Sequence, residues 1–349
     1  MKSKVKIPVY IYILSVLFFS SATVIITKYY DVKNPADSAN QETLYKMTRL
    51  SGYDFIRPLI SAKPVIEPLK YYNIKKSVEN MIQGYKNDGT ITSASIYFRD
   101  FDESNWCSIN GDQKYTCGSL LKVPELIAFL LMEEDHPGTL DRKVLYQNPL
   151  HPRDQIIKTK TIQPGHTYTI RELLQYMIEY SDNYATALLN ANIDVACFRK
   201  IFTDFGLSPV DWYAQTYYLS AEDCSLFMEA LFNARYLTIK NSEYAMSLLM
   251  KSDFMDGIVK GIPQQNLKIA HKFAEAGTPL NCEMHETAIM YINNCAYLLT
   301  IMTRGNNNVD HKKLEDIIQN IAHTFYDGVV NMNHQNSTSM LTPNPQSNQ

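Results

Sequence analysis

The chain has 349 residues, of which 45% are hydrophobic and 20% charged, and its formal net charge is −3. That composition fits a globular protein with one large domain or two small ones. The near-neutral charge, with no basic stripe interleaved with aromatic residues, argues for no nucleic-acid partner.

Lys2, Lys4 and Lys6 precede an uncharged stretch from Ile7 to Thr27, long enough to cross a bilayer as a helix. Basic residues on its N-terminal side predict a cytoplasmic N-terminus and an exported body. The apolar run continues through Val24, Ile25 and Ile26, beyond the cleavage-like Ser20-Ser21-Ala22. Residues 1–27 therefore read as a retained transmembrane signal anchor, with a cleaved leader as the alternative. Membrane contact is expected through residues 7–27, and the body is expected outside the cytoplasm, at the cell surface or in the periplasm. Residues 28–50 are polar and lack apolar periodicity, so they read as a linker. Residues 51–328 read as the folded domain. The tail, 329–349, is rich in Asn, Gln, Ser and Pro and is expected to be disordered.

Within the domain, Leu69 to Tyr85 has helical spacing and ends at Asn87-Asp88-Gly89. Thr92 to Phe98 alternates as a strand, and a second short strand spans Trp106 to Ile109 before the Asn110-Gly111-Asp112 turn. An apolar helix then runs to about Met132. Residues 139–250 are mostly helical in pattern. Thr169 and Glu172 form a capping box ahead of Arg171–Glu179, and a second helix spans Asn183–Asn190. Phe198–Phe205 and Ala221–Asn233 follow, with Ser220 as a cap. After Gly261 the pattern changes to strands: Lys268–Phe273, Glu286–Tyr291 and Ala296–Thr303, the last two joined by a turn at Ile292-Asn293-Asn294. Lys312–Phe325 reads as a closing helix. The order predicts one sheet built from both ends of the chain, flanked by the terminal helices. An all-helical lobe packs on it, and a ligand cleft lies between the two.

Three polar constellations fall around that cleft. Ser119 and Lys122, three residues apart, share a helix face, which brings an amine within reach of a hydroxyl. That is one way to activate a serine nucleophile without a histidine, and burial favours the neutral amine. The spacing is permissive, since Ser3 and Lys6 match it too. Ser181-Asp182-Asn183 sits between two helices, where a polar loop can aim a hydroxyl and an amide into the cleft. His271-Lys272-Phe273-Ala274 lies on the first C-terminal strand. Lys272 can attract a carboxylate, and the strand edge can offer N–H groups to an oxyanion. His271, its neighbour, faces the opposite side of the strand and reads as a core histidine.

With Ser-x-x-Lys, Ser-Asp-Asn and a lysine strand motif in this order, the sequence resembles the serine β-lactamase and penicillin-binding protein superfamily. It looks closest to the class A-like serine hydrolases, and the resemblance spans about Gly52 to Tyr326. Pro164-Gly165-His166-Thr167-Tyr168-Thr169 and His285-Glu286 add to it. The resemblance implies an α/β (α+β) β-lactamase/transpeptidase-like fold with an antiparallel sheet. It implies a serine hydrolase that forms an acyl-enzyme on β-lactams or related D-alanyl peptides of the cell wall. Ser119 would be the nucleophile, Lys122 its base or proton shuttle, and Ser181 the proton donor to the leaving nitrogen. Asn183 would bind the substrate amide and Lys272 its carboxylate. The backbone N–H groups of Ser119 and Glu275 would form the oxyanion hole, while Asp182 would hold its loop. No metal or cofactor is implied.

Two departures bear on activity. The third motif reads Lys-Phe-Ala, so Phe273 stands where a hydroxyl normally contacts the carboxylate; its ring can turn into packing, with Thr278 or another group substituting. The loop from Gly206 to Tyr218 lacks the glutamate that activates the deacylating water in class A enzymes. Asp211 is the only acid there and reads as a loop residue. Both leave open a penicillin-binding D,D-peptidase with slow deacylation, or a wall-binding sensor without turnover. The six cysteines permit disulfides in an exported domain. Cys107 with Cys117 is one possibility and unpaired packing thiols are another.

Overall fold

The computed structural model describes residues 45–147, 155, 159–212, 214, 216–264, 267–278, 280–307 and 309–341, with side chains as far as 333. The expected anchor and most of the linker lie outside the described residues. No helix among the described residues is long and apolar enough to cross a membrane.

A two-stranded ladder opens the described chain, with β1 (Tyr45–Arg49) antiparallel to β2 (Leu59–Pro64). Helix α1 (Tyr72–Asn87) leads into β3 (Ile91–Asp100) and β4 (Trp106–Ile109). The short β5 (Tyr115–Thr116) and a 3-10 turn, Gly118–Leu121, feed α2 (Lys122–Asp135). The lobe that follows holds β6 (Lys143–Leu145), β7 (Thr167–Thr169), α3 (Ile170–Glu179), α4 (Asn183–Asn190) and α5 (Val195–Asp204). It continues with β8 (Tyr218–Leu219), α6 (Ala221–Phe232), α7 (Ile239–Leu249) and α8 (Ile258–Gly261). The chain closes with β9 (Ile269–Thr278), β10 (Asn281–Ile292), β11 (Cys295–Gly305) and α9 (His311–Leu341).

The main sheet is antiparallel, in the order β4-β3-β11-β10-β9. Asn293 and Asn294 close the β10–β11 hairpin with φ of 52° and 65°. Two consecutive left-handed residues make the turn whose twist matches paired strands, and asparagine tolerates that conformation. Period-2 alternation divides β9. Ala270 and Ala274 face the core shared with the lobe, while Ile269 and Phe273 face the core under α1 and α9. Lys272 is in register with the lobe-facing set, which carries its amine toward the cleft.

Helix α2 runs through the middle of the lobe, and every residue from Lys122 to Leu130 is buried. Such a helix can only be held from all sides, here by α3, α5, α6 and α7. Any charged group on it must therefore find partners inside the protein or at the cleft.

Three expectations change. Folded structure begins before residue 51. Tyr45–Arg49, inside the expected linker, is a strand whose side chains are largely exposed. Its stability comes from backbone pairing with β2, which leaves no apolar alternation to read. The closing helix does not stop at Phe325 but continues to Leu341, through most of the tail expected to be disordered. Val329 is buried and Val330 and Met332 pack beside it. No glycine or proline interrupts the chain from 329 to 341; residues 342–349 lie outside the described residues. All six cysteines are free thiols. Cys117 packs into the lobe-side core and Cys107 into the opposite one, so the suggested pair is divided by the sheet.

Candidate active site

The turn carrying Ser119 is pressed against the free edge of the sheet. Gly118 has φ of 52°, and a Cβ there would lie 2.6 Å from the carbonyl oxygen of Glu275. Only glycine allows that approach, and it sets the Ser119 backbone beside β9 at Glu275. Three residues per turn in the 3-10 segment bring Ser119 and Lys122 into line. Pro124 falls in the first turn of α2, where no N–H is needed.

The Ser181 loop is the most constrained part of the site. Ser181 is buried and left-handed, with φ of 53°. A serine pays about 1 kcal/mol or more for that conformation, so the surroundings must impose it. Asp182, fully buried, does so. It caps α4 by accepting from Tyr184 N at 2.9 Å, and it also accepts from Thr161 Oγ1 at 3.0 Å and Ile162 N at 2.8 Å. Gln155 donates to Ser181 O at 2.8 Å and accepts from Asn183 N at 3.2 Å.

Two buried lysines converge on this loop. Lys122 Nζ donates to Ser181 O at 2.6 Å, Asn183 Oδ1 at 2.7 Å and Ser181 Oγ at 3.2 Å. Lys272 Nζ donates to Ser181 Oγ at 2.9 Å and Phe273 O at 2.8 Å. The Ser181 oxygen thus accepts from both ammonium groups, which uses its two lone pairs. Its own proton is then left to be given away. Burial lowers the Lys122 pKa to about 8, against the opposing charges of Glu125, Asp182 and Glu275. Burial likewise pushes Lys272 well below the ordinary lysine range, and the nearby Lys122 charge adds to the effect.

The expected Ser119–Lys122 hydrogen bond is not formed. All three Lys122 donors go to the Ser181 loop, and the Ser119 hydroxyl, only partly buried, has no hydrogen bond among the described residues. A fully buried ammonium needs three acceptors, and a hydroxyl at a cleft mouth can be solvated instead.

Ser119, Lys122, Gln155, Ser181, Asn183 and Glu275 border one cleft of about 410 Å³. Lys272 lies just behind it, joined through Ser181 Oγ. Phe273 borders the cleft, but its ring is 3% exposed and stacks on Phe254 with centroids 4.1 Å apart. Thr278 is exposed and does not line the cleft, and neither does Asp211, exposed on its loop. His271 is a core residue, its Nδ1 2.8 Å from Glu286 Oε1.

Among the cleft residues missed from the sequence are Glu125, Gln155, Asn190 and His311. Glu125 carried a readable signal. Ser119, Lys122 and Glu125 recur every three residues, and α2 is otherwise apolar up to Met132. Asn190 follows Asn183 by two helical turns on α4 in the same way. Gln155 and His311 lie outside any periodic pattern, so nothing local marks them.

The fold and the cleft define a class of protein that works between a five-stranded sheet and a helical lobe, with Ser119, Lys122 and Ser181 lining one cleft. The Beta-lactamase enzyme family matches residues 73–329, and the chain belongs to that family. No curated protein matches the chain. Among solved structures it is similar to a PBP-A variant captured as an acyl-enzyme complex with penicillin G, at 17% identity and TM-score 0.62, covering 74% of this chain and 97% of that one. A β-lactamase from Chitinophaga pinensis DSM 2588 is similar at 16% identity and TM-score 0.61, covering 74% and 99%. A class A β-lactamase from Mycobacterium abscessus is similar at 14% and 0.61, covering 72% and 99%. At these identities the likeness is one of fold.

Proposed function

We propose that the protein is a serine hydrolase that forms an acyl-enzyme at Ser119 with β-lactams or related D-alanyl peptides. The observation that carries this reading is the convergence of Lys122 and Lys272 on one hydroxyl, Ser181 Oγ, at 3.2 and 2.9 Å beside a partly exposed serine. A structural ion network has no use for a hydroxyl with its proton left free between two ammonium groups. A proton relay to a leaving nitrogen does. The family and the penicillin acyl-enzyme of a protein of the same fold support it.

The chemistry follows from the contacts. Substrate binding draws the Asn183 amide onto the substrate's amide carbonyl, away from Lys122. One Lys122 donor position is then released, and its depressed pKa makes the neutral amine accessible. Lys122 takes the Ser119 proton as Oγ attacks the carbonyl carbon. The developing oxyanion lies where the N–H groups of Ser119 and Glu275 are proposed to meet it, because Gly118 brings those segments together. Ser181 hands its proton to the leaving nitrogen and is recharged from Lys122. Lys272 holds Ser181 and attracts the substrate carboxylate.

Mass spectrometry of the purified full chain with penicillin G, beside Ser119→Ala, tests the reading. A Ser119-dependent adduct is expected and the alanine variant should show none. An adduct that clears as hydrolysed drug accumulates makes the protein a β-lactamase. One that persists for hours favours the second reading, a penicillin-binding peptidase or sensor, for which the absence of a glutamate from 206–218 is the supporting observation. No adduct at all removes β-lactams from the substrate class. We also propose that the hydrolase works outside the cytoplasm, anchored through residues 7–27. The support is the basic-then-apolar sequence pattern, and protease shaving of intact cells tests it.

A further inference from the structure

Glu125 is 6% exposed, lines the cleft, and has its Oε2 buried with no hydrogen-bond partner among the described residues. Asn190, on α4, also lines the cleft, and its side chain hydrogen-bonds the Glu125 carboxylate while its own Oδ1 is buried without a donor among the described residues. Two buried acceptors on one hydrogen-bonded pair beside the cleft, neither supplied with a proton, are costly unless something donates to both. A water molecule has two hydrogens to give, and when both are donated its lone pairs point away toward whatever lies ahead. Glu125 is also one helical turn beyond Lys122, which is one turn beyond Ser119, so the three groups run along the same face of the buried segment.

We propose that Glu125, with Asn190 as its positioning partner, holds the hydrolytic water and is the general base that clears the acyl-enzyme. The inference rests on the acyl-enzyme reading above and supplies the base that the loop from Gly206 to Tyr218 lacks. In the step, the water oxygen bonds to the acyl carbonyl carbon while one water proton passes to the Glu125 carboxylate. The bond between that carbon and Ser119 Oγ breaks, and the proton returns through Lys122 to Ser119 Oγ. A carboxylic acid leaves, the serine is regenerated, and nothing is oxidised or reduced. Burial raises the Glu125 pKa to about 7, with the Lys122 charge and the Asn190 side chain opposing. A carboxylate with that affinity takes a proton from water more readily than an exposed one.

The test follows penicillin G adducts on the full chain by intact mass and by rapid quench, in wild type and Glu125→Gln. The expected result is that wild type acylates and turns over, whereas E125Q still acylates at Ser119 but clears the adduct at least about 100-fold more slowly, the usual scale for a lost general base. The wild-type deacylation rate should rise with pH through an apparent pKa near 7, and that limb should vanish in the variant. Asn190→Leu, a change on a different helix, should slow clearance about tenfold and keep the inference testable if E125Q does not fold. An E125Q enzyme that deacylates at the wild-type rate overturns the inference and leaves the acyl-enzyme intact. Acylation and deacylation falling together also overturn it, because Glu125 then serves only as a counter-charge to Lys122. A wild-type adduct that never clears overturns it as well. Failure of wild type to form any adduct defeats the acyl-enzyme reading itself and this inference with it.

Discussion

The two sides of the cleft are built on opposite terms. On the Ser181 side, Lys122, Lys272, Asp182 and Gln155 are joined by short hydrogen bonds, and the strained serine is clamped from below. On the Glu125 side, a buried carboxylate oxygen and a buried amide oxygen have no donor among the described residues. Both sides face the same 410 Å³ space. The difference teaches that one wall is finished before substrate arrives, whereas the other is completed only by what enters. A first, acylating step asks for fixed proton carriers. A second, hydrolytic step asks for a place to hold water.

The largest effect should come from breaking the finished wall. Lys122→Met removes the proposed base and two of the restraints on Ser181, and acylation by penicillin G should fall by about 10²–10⁴-fold. Stopped-flow acylation measures it, and a loss below tenfold would sink the role given to Lys122. In wild type the acylation rate should rise with pH toward a plateau above about 8, because the amine must be neutral and burial holds it near that value. The same shift acts on stability with a definite sign. The folded state binds fewer protons than the unfolded chain between about 8 and the ordinary lysine value, so this group's contribution to stability grows as pH rises through that window. Glu125 works in the other direction. Its folded pKa, about 7, lies above the ordinary carboxyl value, so its contribution is present at low pH and is lost as pH rises toward 7. Removing the Glu125 charge should also move the acylation limb to lower pH, since that charge raises the Lys122 pKa.

Asp182 tests whether the clamp is structural. It touches no cleft space, yet it accepts three hydrogen bonds while fully buried. Asp182→Ala leaves two backbone N–H groups and a hydroxyl without their acceptor, at about 1–3 kcal/mol for each buried group left unmade. Chemical denaturation should show a loss of several kcal/mol, with acylation reduced in proportion to the loop's disorder. Unchanged stability would mean that Ser181 keeps its left-handed conformation without help.

Much of this architecture is legible in the sequence because local chemistry and the fold agree. The Thr169–Glu172 capping box, the Asn293-Asn294 hairpin and the alternation in β9 are formed as patterned. What stayed hidden has physical causes. Strand Tyr45–Arg49 is held by backbone pairing and shows no alternating burial. The closing helix runs on because nothing breaks it, although its composition looks like a tail. Glu125 was overlooked because a buried helix reads as uniformly apolar, and one acid on it looks like a solvated exception. The Lys122 contacts were unreadable for a different reason. The spacing points Lys122 at Ser119, and only the three-dimensional arrangement shows its donors taken by Ser181 and Asn183.

Phe273 gives the smallest effect on the site and the cleanest test of which wall it belongs to. Its ring stacks on Phe254 and lies 4.1 Å from the Lys272 ammonium, within the core under α1 and α9. The ring at 273 is packed in that core, so replacing it removes buried contacts first. Phe273→Thr should therefore destabilise the fold by about 3 kcal/mol, as truncation of a buried phenyl ring does. KM for penicillin G should change less than about tenfold, because one well-placed charge-assisted hydrogen bond is needed for more. Thermal unfolding and steady-state or acylation kinetics on the same preparation separate the two. A large gain in affinity with no loss of stability would place the 273 side chain in the cleft. The departure from the Lys-Thr-Gly pattern would then be a change in substrate recognition rather than in packing.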